Sequence, residues 1–251
     1  MELSQAAKAG LCHAMILSRL ERLKGTVSRA IEGYQFNEAA QELYGFFWRE
    51  FCDWYLEMAK VDLGGEDEVK KGAAKRVLLT VLSETLTLMH PFIPFVTQEI
   101  WSKLPGMAEP NLAKVPYPPL RTELISDAAE ASMELLRAVV VGVRNIRAEL
   151  NINPGVKLTA LVHAEDAAQA ASLTANAAMI SFLAKLERFE AGPDVAAPKA
   201  SASAAGGSCA LFVPLSGAVD FDVEFLRLSK EEVKTVKELT VVEKKLGNED
   251  F

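Results

Sequence analysis

The sequence predicts a mainly α protein in which an antiparallel helical bundle is followed by a small α/β unit and a C-terminal helix. Through the first part of the chain, apolar side chains recur at intervals of three and four, the spacing of one helix face. From Val156 this spacing gives way to an alternation typical of a strand. From Phe221 the chain is charged and helical again. We therefore predict three regions, residues 1–150, 151–220 and 221–251.

The composition is that of a globular, intracellular protein. Of the 251 residues, 50% are hydrophobic and 24% are charged, which allows a large core. Because no run of about 18 apolar residues occurs, we predict no membrane span, and the N-terminus lacks the pattern of a signal peptide. Three widely spaced cysteines, Cys12, Cys52 and Cys209, predict neither a disulfide framework nor a metal site. We expect a cytoplasmic location.

Two long helices are expected first. Apolar residues from Ile16 to Ile31 place the first helix at about Ser4–Gly33. The second runs from about Phe36 to the turn signal Gly64-Gly65, with Asn37 as a candidate cap. Four aromatic residues of this second helix could stack bases, but their helical spacing favours core packing; they are Tyr44, Trp48, Trp54 and Tyr55.

Two prolines separate the next two helices. The third helix is predicted at Glu66–Met89, because Pro91 disfavours helical dihedrals at the residue before it. Pro94 suits the first turn of a fourth helix, which reaches about Leu104. The apolar residues of this turn are expected to be buried, namely Phe92, Ile93 and Phe95. A fifth helix follows a Pro-rich connector at about Ser126–Leu150.

The α/β unit is predicted from shorter patterns. Its strands are expected at Val156–Ala164, 187–191 and 209–215, with one Ala-rich helix at Ala167–Leu186. The low-complexity residues 192–208 are expected to form a mobile loop.

The C-terminal helix carries an interrupted apolar stripe. The heptad positions Glu232 and Thr235 are polar, whereas the others are apolar, namely Phe225, Leu228, Leu239, Val242 and Leu246. Such a helix needs a partner, and the "GNED" that follows it predicts a turn.

The sequence contains no recognisable catalytic set. No glycine-rich phosphate-binding motif is present, and no histidine and carboxylate set has metal-ligand spacing. The histidines His13, His90 and His163 lie in different elements, where a structural role is the simplest explanation. We therefore predict no catalytic residues, no metal ligands and no cofactor within this chain.

Basic residues form stripes despite a net charge of −7. On the fifth helix, Arg137, Arg144 and Arg147 share one side, and Arg19 and Arg22 lie together on the first helix. Planar guanidinium groups in such a stripe suit phosphate contacts. Spacing alone, however, favours a solvated face with local salt bridges. Lys234 and Lys237 on the last helix, between glutamates, also resemble a coiled-coil surface.

Longer motifs add a family resemblance. "ILSRL" from Ile16, "FNEAAQELYGFFWREFCDWYLEMAK" from Phe36 and "MHPFIPFVTQEIW" from Met89 resemble the anticodon-binding domain of valyl-tRNA synthetases. "RNIRAELNINP" from Arg144 and "VPLSGAVDFDVE" from Val213 resemble the rest of the C-terminal region in the same family. The resemblance covers nearly the whole chain in the same order.

The resemblance implies a helical bundle of the class I synthetase anticodon-binding type and a tRNA(Val)-binding role. Enzymes of this family attach valine to tRNA with ATP and Mg²⁺, through a catalytic domain whose His-x-Gly-His and Lys-Met-Ser-Lys-Ser signatures are absent here. The chain is accordingly expected to be a C-terminal fragment, inactive alone, whose partners are tRNA(Val) and the remainder of the synthetase. Neither DNA nor a membrane is expected as a partner.

The resemblance also transfers residue by residue. Arg19 matches the arginine of the Ile-Leu-Ser-Arg-Leu segment and is the first candidate for the anticodon side. Arg144 and Arg147 match the Arg-Asn-Ile-Arg motif, which faces either tRNA or the bundle joint. Arg22, Arg137, Lys234 and Lys237, which come from the basic stripes and not from the resemblance, complete the candidate tRNA-binding set. The alternative to tRNA binding is a structural module that self-associates through its terminal helix.

Overall fold

A helical region is followed by a small sheet and a long terminal helix, as predicted. The structure, a computed structural model, describes residues 1–219 and 221–246. The predicted turn at "GNED" lies outside these residues. The helices of the bundle are α1 (Leu3–Lys8), α2 (Leu11–Glu32), α3 (Phe36–Tyr44), a π-helix (Gly45–Tyr55), α4 (Leu56–Gly64), α5 (Glu68–Met89), α6 (Pro94–Trp101) and α7 (Asp127–Glu149).

The first predicted helix is two helices. The prediction of one helix from Ser4 is wrong because Gly10 is extended, with φ −171° and ψ 149°, and separates α1 from α2. A glycine has no side chain to stabilise a helix at this point, so the chain can turn there. The predicted apolar face of α2 is confirmed, since Ile16, Leu20 and Val27 are fully buried.

The second predicted helix changes its hydrogen bonding midway. The chain passes from α3 into the π-helix, whose bonds join residues five apart, and then into α4. Phe47, Phe51 and Tyr55 stack along it, with ring centroids 5.9 and 6.0 Å apart. The predicted cap at Asn37 is wrong, because the cap position is Gln35 and no side chain caps this helix.

The proline turn is where predicted, but its burial is not. Helix α5, capped by the Asp67 carboxylate, ends at Met89, and α6 begins at Pro94. The expectation that the turn is buried is wrong, since Ile93 is 40% exposed and Phe95 is 90% exposed. The turn lies at an end of the bundle, where the following helix is held instead through Trp101 and its contacts with Leu86 and Leu112.

A buried ion network attaches the irregular connector to the bundle. Lys24 Nζ lies 2.7 Å from Glu21 and 2.6 Å from Glu84. From the connector, Arg121 Nη2 reaches the same two carboxylates at 2.7 and 2.6 Å. The side chains of Glu21 and Lys24 are 0% and 2% exposed. Each buried charge is therefore compensated by partners from α2, α5 and the connector.

A four-stranded mixed sheet packs against α7. Its strands lie in the order β2-β1-β4-β3, with β1 and β2 parallel and the other pairs antiparallel. A Cβ at Gly142 of α7 would lie 2.8 Å from Leu211 of β4, so this glycine permits a close approach of helix and sheet. The elements of the unit are β1 (Leu158–His163), α8 (Ala167–Ala175), α9 (Ala177–Ala184), β2 (Leu186–Gly192), β3 (Ser201–Gly206) and β4 (Cys209–Pro214).

Two predictions for this unit are wrong. Residues 192–208 are not a loop throughout, because β3 pairs along its whole length with β4. The small side chains of β3 give the sequence a low-complexity composition, but the close approach of α7 requires small residues at this place. The single Ala-rich helix is instead α8 and α9, bent by 66°.

The terminal helix α10 (Phe221–Leu246) forms as predicted and leaves its apolar stripe in solvent. Phe225 is 71% exposed and Leu239 is 55% exposed. Within residues 1–219 and 221–246, no single helix is long and apolar enough to cross a membrane, although the bent pair α8 and α9 passes that test together on length and composition.

We predict that Glu21→Gln destabilises the fold by about 3 kcal/mol, because it leaves Lys24 buried with less compensating charge. Urea unfolding measures the change. The matched control is Glu99→Gln, which removes an exposed ion pair with Lys103 and should change stability by less than about 1 kcal/mol. Equal losses in the two variants would contradict the structural role of the network.

Candidate nucleic-acid interface

Helix α2, the π-helix and α7 form one surface rich in arginine. We call it the arginine face, carried by Arg19 and Arg22 of α2, Arg49 of the π-helix, and Arg137 and Arg144 of α7. A groove of about 860 Å³ opens on its α2 side, and a cavity of about 400 Å³ lies between α2 and α7. Arg19 and Glu50 line both, so the two are neighbours.

Arg19 and Arg22 are already paired with internal carboxylates. Arg19 donates from Nε and Nη2 to Glu50, at 2.9 and 2.6 Å, and lies 3.7 Å from Glu130. Arg22 donates from Nε to Glu130 at 2.8 Å and pairs with Asp127. Because both arginine side chains remain about two-fifths exposed, at 40% and 37%, they border the groove while their charges are largely compensated.

Glu130 is the carboxylate that joins α7 to α2. Burial raises the pKa of Glu130, but the hydrogen bonds from Ser18 and Arg22 and the charges of Arg22 and Arg19 outweigh it, so the pKa is lower than usual. The ionised form is therefore the one that holds the two helices together.

Arg137 and Arg144 both lie close to the ring of Trp54. Their guanidinium carbons are 5.2 and 5.4 Å from the centroid of the Trp54 ring, which is cation–π distance. Burial lowers the pKa of Arg137, and its Nη2 contacts the Met15 sulfur at 3.9 Å. Arg144 is exposed and donates to the Leu183 carbonyl at 3.0 Å. The pair fixes Trp54 against α7.

Arg147 belongs to the joint between the bundle and the α/β unit. Its Nη1 donates to the carbonyls of Asn153 and Val156, at 3.1 and 2.8 Å. Its Nη2 reaches the carbonyls of Ala184 and Lys185, at 3.4 and 3.5 Å. Of the two locations that the motif implied for Arg147, these contacts place it at the bundle joint.

The aromatic prediction is wrong for two of its four residues. Tyr55 is fully buried and Trp54 is packed, but Tyr44 is 59% exposed and Trp48 is 49% exposed. Their ring centroids are 6.4 Å apart, and Tyr44 lines the large groove. Trp48 lies in the π-helix, whose wider turn departs from the α-helical spacing on which the prediction rested. Tyr44 ends α3 with regular spacing, and its exposure follows from the packing around it rather than from periodicity.

Arg49 was missed by the sequence argument. It lines the same groove, is exposed, and has no ion pair with any residue that the structure describes. It follows Trp48 directly inside the "FFWRE" string, so the signal was a cation next to exposed aromatic residues rather than a basic stripe. The groove thus combines a guanidinium group that has no ion pair among the described residues with the exposed ring of Tyr44, and the Glu42 carboxylate lines it as well.

The remaining two candidates lie elsewhere. Lys234 is on α10, where its Nζ is 3.9 Å from Glu238 and its side chain is 77% exposed. Lys237 is exposed on the same helix. Neither lines the two cavities of the arginine face.

Cys12, His13 and Asp62 meet in the bundle, with potential ligand atoms within 4.8 Å of one another. His13 Nδ1 is 2.9 Å from the Tyr55 hydroxyl, and His13 Nε2 is 3.2 Å from Asp62. Burial, reinforced by the Asp62 charge, raises the pKa of Cys12 to about 12. The thiol is therefore protonated at neutral pH, and His13 links the Tyr55 hydroxyl to the Asp62 carboxylate in a buried polar network.

Comparison with known proteins identifies the class. The profile of the family described as "Anticodon-binding domain of tRNA ligase" matches residues 13–162, which include the whole arginine face, and the chain belongs to this family.

The similar curated proteins are more specific. The chain is 48% identical to the valine–tRNA ligase of Nitratidesulfovibrio vulgaris over 244 residues, which are 96% of this chain and 27% of that protein. It is 41% identical to that of Syntrophotalea carbinolica, covering 96% of this chain and 27% of that protein. With that of Bacillus cereus it shares 38% identity over 250 residues, 100% of this chain and 28% of that protein. The matched region is the C-terminal part of these ligases.

We predict that Glu130→Gln removes part of the acid dependence of stability. Because the folded pKa of Glu130 is lowered, its contribution is present above the usual value of 4.5 and is lost as the pH falls through the folded pKa. At pH 7 the variant should be less stable by about 1–2 kcal/mol, and the difference should shrink as the pH falls below 4.5.

Urea unfolding across this pH range checks the prediction. Glu134→Gln, an exposed position on the same helix, is the control and should change little. A Glu130→Gln deficit that does not diminish in acid would contradict the charge-dependent bond.

Proposed function

We propose that this chain binds the anticodon stem and loop of tRNA(Val) and positions that tRNA for a synthetase. The observation that carries the proposal is the groove beside the π-helix, which Tyr44 and Arg49 line. Arg49 has no ion pair within the described residues, and the exposed Trp48 ring lies 6.4 Å from the ring of Tyr44. Unstacked bases of an RNA loop bind to aromatic faces, and guanidinium groups bind the backbone phosphates.

The charges of the groove favour a limited number of phosphate contacts. Glu50 lines the groove and is paired with Arg19, whereas Glu130 lines the neighbouring cavity and is paired with Arg22 and Arg19. Those two arginines shape the wall and contribute little free positive charge. Arg49 has no ion pair in the described part of the chain, but the exposed Glu42 carboxylate lines the same groove, so we expect base stacking to contribute as much as electrostatic attraction.

The activity of the longer protein is part of the same proposal. The chain spans about 27% of the length of the curated relatives it matches. We propose that residues 1–150 bind the anticodon, that 151–220 form a subdomain and that 221–251 begin a helical arm. Joined to a catalytic domain outside this chain, they would serve ATP- and Mg²⁺-dependent attachment of valine to tRNA in the cytoplasm. DNA and membranes are not expected as partners.

A second candidate function rests on α10. Its apolar stripe is exposed, and Leu228, Leu239 and Leu246 are each about half exposed or more, at 49%, 55% and 71%. Pairing with α10 of a second copy would remove that surface from water. If self-association is the function, sedimentation will show a mass that rises with concentration. Leu228→Asp/Leu239→Asp should then be monomeric, whereas a wild-type chain that stays monomeric rejects this candidate.

We predict that Arg49→Ala and Trp48→Ala weaken tRNA(Val) binding in different ways. Arg49→Ala should lower the slope of log affinity against log salt by about one, because one phosphate contact is lost. Trp48→Ala should cost about 1–3 kcal/mol with an unchanged slope, because stacking involves no counterion release. Titration of labelled tRNA between 50 and 200 mM salt, roughly the range over which such contacts weaken, separates the two effects.

The matched controls are Lys103→Ala and Phe95→Ala, an exposed cation and an exposed ring on the α6 side of the bundle. Both should bind tRNA(Val) as the wild type does. A noncognate tRNA tests specificity. If the wild-type chain binds no tRNA, or if the controls lose as much affinity as the groove variants, the proposed function is wrong.

A further inference from the structure

A second groove lies where the helical bundle meets the α/β unit. It has a volume of about 680 Å³ and is lined by Glu57 of α4, by Arg144 of α7, by the segment that leads into β1, and by the end of α9 with the start of β2. We call it the junction groove. Three cations line it, Arg144, Lys157 and Lys185, against the single carboxylate of Glu57. Glu57 is itself paired with Lys60 at 2.5 Å, so the groove is positively charged.

The two lysines lie on adjacent stretches of backbone, just before the paired strands. Leu158 and Leu186 are partners in the parallel pair β1–β2, and the Leu158 N–H donates to the Lys185 carbonyl at 3.3 Å. Lys157 and Lys185 each directly precede one of these partnered residues, and Lys185 is the left-handed residue that ends α9, with φ 55°. Like charges on adjacent backbone segments repel one another. Both are exposed, and neither has an ion pair with a residue in the described parts of the chain.

An anion in the groove would offset this repulsion. Arg144 donates a hydrogen bond to the Leu183 carbonyl, and Arg147 donates one to the Lys185 carbonyl. These bonds hold the backbone that carries Lys185 in place. Phe182, which lines the same groove, is 50% exposed. A pair of free ammonium groups beside an exposed ring suits a nucleotide strand, whose phosphates are anionic and whose bases are flat.

The junction groove continues the arginine face. Arg144 lines the junction groove and contacts the Trp54 ring. Arg137 contacts the same ring and lines the 400 Å³ cavity between α2 and α7, together with Arg19 and Glu50. Along α7 the path from Glu130 to Arg144 is about 21 Å long, at 1.5 Å per residue. The strip is not uniformly basic, because Glu130 and Glu134 line the cavity beside Arg137. Cations spaced over this length suit an extended polyanion better than a small anion.

We infer that the junction groove is a second RNA contact, in which Lys157 and Lys185 bind phosphates of the tRNA and Phe182 packs against a base or sugar. The inference rests on the proposed function and adds a contact site to it, separate from the groove at Arg49. The RNA would enter at the π-helix groove and run along α7 toward β1 and β2.

The test compares Lys157→Ala/Lys185→Ala with the control Lys103→Ala/Lys114→Ala, which removes the same charge from the exposed α6 region. In the 251-residue chain, the first pair should lower the salt slope for tRNA(Val) by about two. A fourfold rise in salt then weakens that variant about tenfold less than the wild type. Thermal melts confirm that each variant is folded. Hydroxyl-radical footprinting should show lost protection at nucleotides distinct from those lost in Arg49→Ala.

Each outcome decides between the alternatives. A reduced slope with a separate lost footprint supports the inference. A wild-type slope in the lysine variant, with Arg49→Ala still defective, overturns the junction groove as an RNA site and leaves the proposed function intact; the groove then suits a protein segment. Absence of any tRNA binding by the wild-type chain overturns both. Phe182→Ala should weaken binding at an unchanged slope, and unaltered affinity counts against the stacking role.

Discussion

Helix α7 is packed on two sides, and the rest of the structure follows from that constraint. On one side, Gly142 allows α7 to lie in close contact with β4. On the other side, Met133 and Val140 are buried in the hydrophobic core of the bundle. What remains is a narrow strip along the helix. Positions seven apart share a line, so Glu130, Arg137 and Arg144 occupy this strip in order. The strip is where the bundle, the sheet and the candidate interface meet.

Paired charges and unpaired charges have different roles on this surface. Arg19, Arg22 and Arg147 are held by carboxylates or carbonyls, which makes them part of the framework. A guanidinium group that already has a carboxylate partner gains little from a phosphate, since the first bond must be exchanged for the second. The cations that can attract RNA are those without partners in the described chain, such as Arg49 and Lys157. An overall charge of −7 does not prevent this, because binding responds to the local distribution.

The candidate site was predictable only in part. The motifs indicated the family, and the family profile matches residues 13–162, which contain four of the five motifs but not the one that starts at Val213. The seven-residue spacing correctly placed Arg137 and Arg144 on one side of α7. It could not reveal that Glu50 and Glu130, from two other positions in the chain, neutralise Arg19. Nor could it reveal the junction groove, because Lys157 and Lys185 become neighbours only when β1 and β2 pair.

The sequence by itself determined the local elements. Apolar periodicity predicted where the helices lie, Pro94 marked the start of α6, and the alternation after Val156 marked the first strand. The sequence was sufficient for these elements because each signal acts over only a few residues. Tertiary structure decided which surfaces stay open. Tyr44 and Trp48 are apolar enough for a core but are exposed, and the small residues of β3 form a strand because α7 lies over them. Periodicity tells which side of an element is apolar, but only packing tells whether another element covers it.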